Sequence, residues 1–160
     1  MRILVMGDSH GREDNMLRAV EKTAPGLIIH LGDCVRATVC LERAYPDLPL
    51  WRVRGNCDFA SLTPESGLEE VDGVRIFFAH GHRHNVKLNM DSFCNSVCFS
   101  GAALGLYGHT HRARWNRIGG MEILNPGSIV DHFHPTYALV ETTGNGQFSC
   151  HIYDLEEEEK

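Results

Sequence analysis

The sequence has no long apolar run, and basic residues are outnumbered by acidic ones. No apolar stretch reaches the roughly 18 to 20 residues that span a membrane, and Gly7-Asp8 interrupts the apolar N-terminus before a signal-peptide core can form. We therefore expect a cytoplasmic protein with no membrane partner. Lys and Arg number 15 against 21 Asp and Glu, a formal charge of −6. Long nucleic acids are poor partners for such a chain, because it lacks the basic surface that binds them.

The chain also lacks the paired cysteine spacing of a structural zinc site. Cys94 and Cys98 lie four residues apart, and no second pair has a matching spacing. A chain of 160 residues builds its own core without disulfide bonds, so we expect all six cysteines to be reduced. We predict a single domain over residues 1–155 and a solvated acidic tail over residues 156–160.

The first third of the chain alternates between strand and helix patterns. Short apolar runs predict strands at 2–6, 27–31 and 50–53, and helical spacing predicts helices at 15–24 and 38–45. This alternation indicates an α/β fold in which helices connect parallel strands. Ligands are expected at the carboxyl ends of such strands.

The remainder of the chain is richer in strands. We predict strands at 74–79 and 103–107, separated by a helix at 88–99. Two hairpins then join 112–118 to 121–124 and 137–141 to 148–153, through glycine-containing turns. We therefore expect a parallel half followed by a largely antiparallel half, whose edge strands allow a homodimer.

Polar motifs follow five of the predicted strands, and they contain many of the ten histidines. The motifs are GDSHG, GDC, GNCD, HGH and GHTH. Each alone is weak evidence, because Gly-Asp or Gly-His after a strand is usually a turn. If the strands lie side by side in one sheet, their recurrence predicts a polar cluster at its edge, formed by Asp8, His10, Asp33, Asn56, Asp58, His80, His82, His109 and His111.

These side chains are suitable ligands for transition metals. Alternate residues of an extended segment point the same way, so Asp8 with His10, and His109 with His111, can each aim two ligands at one spot. Oxygen donors mixed with imidazole nitrogens favour Mn, Fe, Ni or Zn over Ca. Seven ligands are too many for one ion with an open position, and they suit two ions that share a carboxylate.

The ordered motifs resemble those of the calcineurin-like metallophosphoesterase superfamily. The short chain resembles in particular its small prokaryotic phosphodiesterase family, which shares its fold with a retromer scaffold subunit. The resemblance runs from residue 3 to about residue 130, and Asn125-Pro126-Gly127-Ser128 matches a further motif. It implies a four-layer α/β/β/α sandwich, in which helices cover the outer faces of two sheets.

The resemblance also implies a role for each ligand. Asp8, His10 and His111 would hold one divalent transition-metal ion, and Asn56, His80 and His109 the other, with Asp33 bridging them. Mn is the expected metal, with Ni, Fe and Zn as alternatives. The expected catalytic residues are Asp33, Asn56, Asp58 and His82: Asp58 would support Asn56 or a ligand histidine, and His82 would contact phosphate or support the ligands.

One position departs from the larger members of the superfamily. Many of them have a histidine, a proposed general acid, where this chain has Cys57, so the leaving-group acid is unassigned. We interpret Cys57 as a structural thiol. Asn125 to Ser128 should brace the GHTH loop. We expect a core position for His30, surface positions for His84 and His151, and loop positions for His132 and His134.

The predicted function is a dinuclear metal-dependent phosphoesterase. It would hydrolyse small phosphodiesters, with monoesters left open, by in-line attack of a metal-bridging hydroxide. Two alternatives are a non-catalytic scaffold of the same fold and a mononuclear or structural metal site. A scaffold has no need of all seven ligands, and Asp33 as a bridge argues against a single metal.

Overall fold

Two five-stranded sheets pack face to face in residues 1–157, the part of the chain that this computed structural model describes. In chain order the strands are β1 (Arg2–Met6), β2 (Leu27–His30), β3 (Leu50–Arg52), β4 (Ser66–Val71), β5 (Val74–Ala79), β6 (Leu104–Tyr107), β7 (Arg114–Ile118), β8 (Met121–Asn125), β9 (Thr136–Thr142) and β10 (Phe148–Asp154). The first sheet has the order β10-β9-β1-β2-β3, and the second has the order β4-β5-β6-β8-β7.

Both sheets are mixed, with a parallel centre and antiparallel additions. β1, β2 and β3 pair in parallel, as predicted, and β9 and β10 add to them as an antiparallel hairpin. In the second sheet β5, β6 and β8 are parallel, while β4 and β7 are antiparallel edges. The expectation of a largely antiparallel second half was therefore wrong for its central strands, although both predicted hairpins are confirmed.

Three α-helices and two 3₁₀ turns connect these strands within the described residues. They are α1 (Glu13–Thr23), α2 (Val39–Ala44) and α3 (Asp91–Ser100), with 3₁₀ turns at Val35–Thr38 and His82–His84. The predicted helices are confirmed with shifted ends. α1 stops at Thr23 because Ala24 is left-handed, with φ of 42°, and is followed by Pro25. None of the helices in residues 1–157 is long and apolar enough to span a membrane.

Apolar residues fill three layers of core. Alternate residues of the inner strands, such as Val5 and Ile29 of the first sheet and Ile76 and Leu106 of the second, fill the space between the sheets. The opposite face of the first sheet packs under α1 and α2, and that of the second sheet packs under α3. The predicted α/β/β/α arrangement of four layers is confirmed.

Strand β4 has no counterpart in the sequence-based prediction. It lies at the edge of the second sheet and pairs only with β5. Its exposed Glu69 and Glu70 interrupt the alternation of apolar and polar residues that indicates a strand. Charges on an edge strand discourage pairing with another chain, which explains their position.

The acidic C-terminus makes more contacts than a solvated tail. The Glu156 carboxylate lies 2.9 Å from the Arg18 guanidinium of α1. The Lys22 ammonium donates hydrogen bonds to the carbonyls of Leu155 and Glu157. The remainder of the predicted tail, residues 158–160, lies outside the described residues. Residues 155–157 therefore contact α1.

Candidate metal centre

Five polar motifs meet at one end of the sandwich. Asp8, Asp33 and Asn56 follow β1, β2 and β3 of the first sheet, whereas His80 and His109 follow β5 and β6 of the second. The seven predicted ligands therefore come from two sheets. The expectation that they cluster at the edge of one sheet is wrong. Parallel strands within each sheet carry their carboxyl ends to the same place, as expected for a ligand site.

Asp8, His10 and His111 form one group of possible ligands. Their ligand atoms all lie within 4.8 Å of one another. Asp8 Oδ2 accepts a hydrogen bond from the His109 backbone N–H at 3.0 Å, but the buried Asp8 Oδ1 has no hydrogen-bond partner in the described residues. A buried carboxylate oxygen without a partner is unfavourable. It lies 3.3 Å from His111 Nε2, within this group.

Asp33, His80 and His109 form a second group within the same 4.8 Å limit. His80 Nε2 is 3.2 Å from His109 Nδ1 and 3.5 Å from Asp33 Oδ2. The side-chain oxygen of Asn56 joins them, 3.0 Å from His80 Nε2. The two groups match the two predicted ligand sets. That these atoms bind metal remains a prediction.

The orientation of His80 tests whether this group fits a cation. His80 Nδ1 lies 2.7 Å from the Leu31 carbonyl oxygen, which can only accept, so Nδ1 carries the proton. In the neutral ring, Nε2 then directs a lone pair at Asn56 Oδ1 and Asp33 Oδ2, which are also acceptors. Acceptors that face one another in this way are suited to surround a cation. The donor set therefore fits a divalent metal ion.

The pKa shifts of His109 and Asp33 agree with the protonation states of metal ligands. Burial, with the charges of His80 and Lys87, lowers the pKa of His109 to about 4, so this ring is neutral near pH 7. Burial of Asp33 acts to raise its pKa, but the Cys57 backbone N–H and the His80 ring hold it below its ordinary value. The shift of His111 has the opposite sense, because the adjacent Asp8 carboxylate raises its pKa and so favours the charged ring. Neutral imidazole and ionised carboxylate are the forms that bind metal.

The backbone at the site is strained. Of the seven predicted ligands, five have positive φ between 40° and 67°: Asp8, His10, Asp33, His109 and His111. Residues other than glycine seldom adopt this left-handed conformation, and such strain concentrates at functional sites. The adjacent Gly55 is required for a different reason, because a Cβ there would overlap the Asp33 carboxylate.

Asp58 supports the site through backbone amides. Its Oδ1 accepts the N–H groups of Cys34 and Val35 at 3.0 and 2.9 Å, and its Oδ2 accepts the Gly55 N–H at 2.8 Å. We had expected Asp58 to hold the side chain of Asn56 or of a ligand histidine. Instead it ties the loop after β2 to the loop after β3. Asp33 and Asn56 are positioned by these loops.

The NPGS segment braces two site loops. Asn125 Nδ2 donates to the Gly108 carbonyl and to Thr110 Oγ1, both at 3.0 Å, so the predicted support of the GHTH loop is confirmed. Ser128 Oγ also donates to the Asp8 carbonyl at 3.2 Å. The segment therefore links the loop after β6 to the loop after β1, one from each sheet.

His30 is a core histidine, as predicted, but it also contributes to the site. The fully buried ring accepts the Gly32 N–H at Nδ1 and contacts Ser9 Oγ through Nε2. Ser9 Oγ donates in turn to the Asp33 carbonyl at 3.2 Å. The apolar run around His30 gave no sign of this role. The Ser between Asp8 and His10 was the only available signal.

The other histidines divide between the site and the surface. The His82 ring lies beside the second ligand group, with its centroid 5.3 Å from that of His80, and its buried Nδ1 has no partner in the described residues. The expected surface position of His84 is wrong. Its ring packs edge-on against Phe77 and Phe93 and is half-buried, because the 3₁₀ turn directs it over α3. The remaining three are exposed, as expected: His132, His134 and His151.

Cys57 lies beside two of the predicted ligands, and its thiol is protonated. Its Sγ lies within 4.8 Å of the ligand atoms of His10 and Asp33. Burial and the Asp33 charge raise the pKa of the thiol, which opposes a role as nucleophile. All six cysteines are free thiols, as predicted.

Residues 1–145 match the family model described as the calcineurin-like phosphoesterase superfamily domain. The chain belongs to this superfamily. It is 33% identical over 132 residues to the probable metallophosphoesterase YsnB of Bacillus subtilis (strain 168), covering 81% of this chain and 75% of the relative. Family membership implies divalent metal ions and supports a metal-dependent phosphoesterase.

Solved structures of other members share this fold. A predicted phosphoesterase from Streptococcus pneumoniae TIGR4 has a TM-score of 0.80 and 26% identity, covering 98% of this chain and 91% of that chain. Vps29 of Entamoeba histolytica, solved in complex with zinc, has a TM-score of 0.72 and 21% identity, covering 98% of this chain and 100% of that chain. The likeness to Vps29 extends to the fold alone.

Proposed function

We propose that the chain hydrolyses small phosphodiesters at a centre of two divalent transition-metal ions. The observation that carries this proposal is the position of the Asp33 carboxylate between the two ligand groups. Its Oδ2 is 3.5 Å from His80 Nε2 in one group and 4.0 Å from His10 Nε2 in the other. A carboxylate that faces both groups is suited to bridge two ions.

The proposed ligand residues are the seven that the sequence predicts. Asp8, His10 and His111 would hold one ion and Asn56, His80 and His109 the other, with Mn favoured and Ni, Fe or Zn as alternatives. When bound, such ions supply a water molecule of lowered pKa and neutralise charge on the phosphate. The mixed oxygen and nitrogen donors do not decide among these metals.

The chain's own residues orient the ligands and the substrate. The Cys57 N–H holds Asp33 Oδ1 at 2.9 Å, which leaves Oδ2 to face the ligands. The Leu31 carbonyl fixes the tautomer of His80. Burial lowers the pKa of His82, so this ring is neutral, and it lies beside the second ligand group, where it would contact a phosphate oxygen or support the ligands. Because the pKa of the Cys57 thiol is raised, this thiol is a weak acid, and the leaving-group acid is unassigned.

Substrate size and cellular setting form part of the same proposal. A net charge of −6 opposes binding of long nucleic acids and favours small esters, with the metal ions as the local attraction for phosphate. We propose a cytoplasmic protein with one catalytic domain over residues 1–155. A homodimer through β10, the antiparallel edge strand of the first sheet, is compatible with this proposal.

A non-catalytic scaffold is the second candidate, and the similarity to Vps29 is the observation that favours it. The two candidates differ in their need for the ligands. A scaffold retains its function when Asp33 is changed, whereas a phosphoesterase does not.

The test is an assay of metal-depleted protein with bis-p-nitrophenyl phosphate and p-nitrophenyl phosphate, after addition of Mn, Ni, Fe or Zn. We expect Mn to restore hydrolysis, with the diester preferred. Asp33→Asn should lower kcat by about 100-fold or more, because a bridging charge is lost. Asp47→Asn, at an exposed position, is the matched control. No hydrolysis of either ester with any metal would refute the proposal and favour a scaffold.

A further inference from the structure

A groove of about 700 Å³ opens beside the metal centre. His10 and Cys57 line it, and both have side-chain atoms within 4.8 Å of the Asp33 carboxylate. The groove continues along the 3₁₀ turn at Val35–Thr38 and the loop after β3. A phosphate held at the metal centre would therefore have this groove as a place for one of its ester groups.

The groove contains an exposed aromatic ring. Phe59 lines it with 91% of its surface exposed, and the apolar side chains of Val35 and Val39 line it as well. Exposing a phenyl ring to water is unfavourable, and a planar ligand ring stacked on it removes that cost. A ring of this kind on a loop beside a catalytic centre is suited to bind a base or another aryl group.

The groove also contains one arginine that is free to bind an anion. Arg52 already has partners within the chain. Its guanidinium lies 3.2 Å from the Glu42 carboxylate and donates a hydrogen bond to Thr38 Oγ1 at 2.7 Å. The Asp58 carboxylate is committed to backbone amides. Arg36 is exposed and makes no ion pair or side-chain hydrogen bond with any residue in the described range 1–157. Guanidinium groups bind phosphate with two parallel hydrogen bonds.

We propose that this groove binds the organic group of the substrate, and that the substrate is a nucleoside 5′-phosphodiester with a second phosphate on its sugar. The base would stack on Phe59 and the second phosphate would pair with Arg36, while the scissile phosphate lies at the metal centre. This inference depends on the proposed phosphodiesterase function and adds the class of substrate to it. Phe59 and Arg36 would be specificity residues, because neither lies among the metal ligands.

Three chromogenic diesters test the groove in the Mn-loaded protein. They are methyl p-nitrophenyl phosphate, thymidine 5′-(p-nitrophenyl phosphate), and the same thymidine ester with a 3′-phosphate. We expect kcat/KM to rise along this series. Phe59→Ala should lower kcat/KM about 10-fold for both thymidine esters, through KM, because base stacking is lost. Arg36→Ala should lower it about 10-fold for the 3′-phosphorylated ester alone.

Matched controls are Phe99→Ala and Arg117→Ala, which change exposed residues of α3 and β7 outside the groove. Equal kcat/KM of the Phe59 and Arg36 variants and the wild type on all three esters would overturn the groove assignment. A loss of kcat/KM on methyl p-nitrophenyl phosphate as large as the loss on the thymidine esters would also overturn it. Since bis-p-nitrophenyl phosphate reports the basal activity, its hydrolysis by the wild type keeps the proposed function intact in either case. Its absence with every metal overturns the proposed function itself.

Discussion

His30 Nε2 lies 3.1 Å from the hydroxyl oxygen of Ser9, the residue between the predicted ligands Asp8 and His10. His30 Nδ1 accepts the Gly32 N–H, so in the neutral ring Nε2 carries the proton and donates to Ser9. The Ser9 hydroxyl then donates to the Asp33 carbonyl. These hydrogen bonds connect the core of the first sheet to the backbone of the residue that faces both ligand groups.

We predict that Ser9→Ala destabilises the protein and slows it. The change leaves the buried His30 N–H without an acceptor, which should lower the free energy of unfolding by about 1–3 kcal/mol. Turnover of bis-p-nitrophenyl phosphate should fall about 10-fold, because the Asp33 loop loses a support. Urea unfolding and kinetics measure the two effects, with Ser149→Ala at an exposed position of β10 as control. Unfolding curves of Ser9→Ala and wild type that coincide would contradict the hydrogen-bond assignment.

Stability should decrease in acid because of His30. Burial lowers its pKa from 6.5 to about 4, so the unfolded state binds a proton that the folded state does not. The resulting loss begins as the pH falls below about 6.5 and reaches roughly 3 kcal/mol near pH 4. In EDTA, His30→Gln should show a shallower dependence of unfolding free energy on pH over this window. His151→Gln, at an exposed site, should not. Parallel curves for His30→Gln and wild type would exclude His30 as the cause.

His80→Ala should remove one of two metal ions. The ring contacts Asn56, His109 and Asp33 through Nε2, so its loss dismantles the second ligand group alone. We expect titration calorimetry to give two Mn per wild-type chain and one per variant chain. Since loss of a supporting contact alone costs roughly 10–100-fold in affinity, the second site should weaken by at least that factor. His132→Ala, in an exposed loop, should retain both ions. A wild-type stoichiometry of one would show that the centre is mononuclear.

Asp58→Asn should loosen the loops that carry Asp33 and Asn56. The amide presents an N–H where the carboxylate accepted backbone N–H groups, which should lower the unfolding free energy of metal-free protein by about 1–3 kcal/mol. Mn affinity should fall as well, because the ligands are no longer preorganised. Urea unfolding in EDTA and Mn titration measure these effects, against Asp47→Asn. Full Mn affinity in the variant would limit Asp58 to a role in stability.

The positions of the ligands could be predicted from sequence because each follows an apolar strand. Asp8 and Asp33 come directly after buried runs that are closed by glycine, and such a pattern locates a side chain at the end of a strand. The pattern does not say which sheet a strand joins. The division of Asp33 and His80 between two sheets was therefore not predicted, since the resemblance implies two sheets without assigning these strands to them.

Features that depend on non-local contacts were not predictable in this way. β4 is held by its pairing with β5, against the preference of its exposed glutamates. His84 is half-buried because the turn at His82–His84 directs it onto α3. Asp58 accepts hydrogen bonds from backbone amides. Nearly every residue has such an amide, so the sequence does not identify these partners.

Because the predicted ligands come from both sheets, the site is complete only when the two sheets have packed together. Neither sheet alone supplies both halves of either ligand group, since Asp8 and His10 belong to the first sheet while His111 follows the second, and Asp33 meets His80 across the same boundary. A chain with only one sheet formed would have no complete set. We therefore expect metal affinity to require both sheets, and a bound ion would hold them together by a link that neither the apolar core nor the hydrogen-bonded ladders provide.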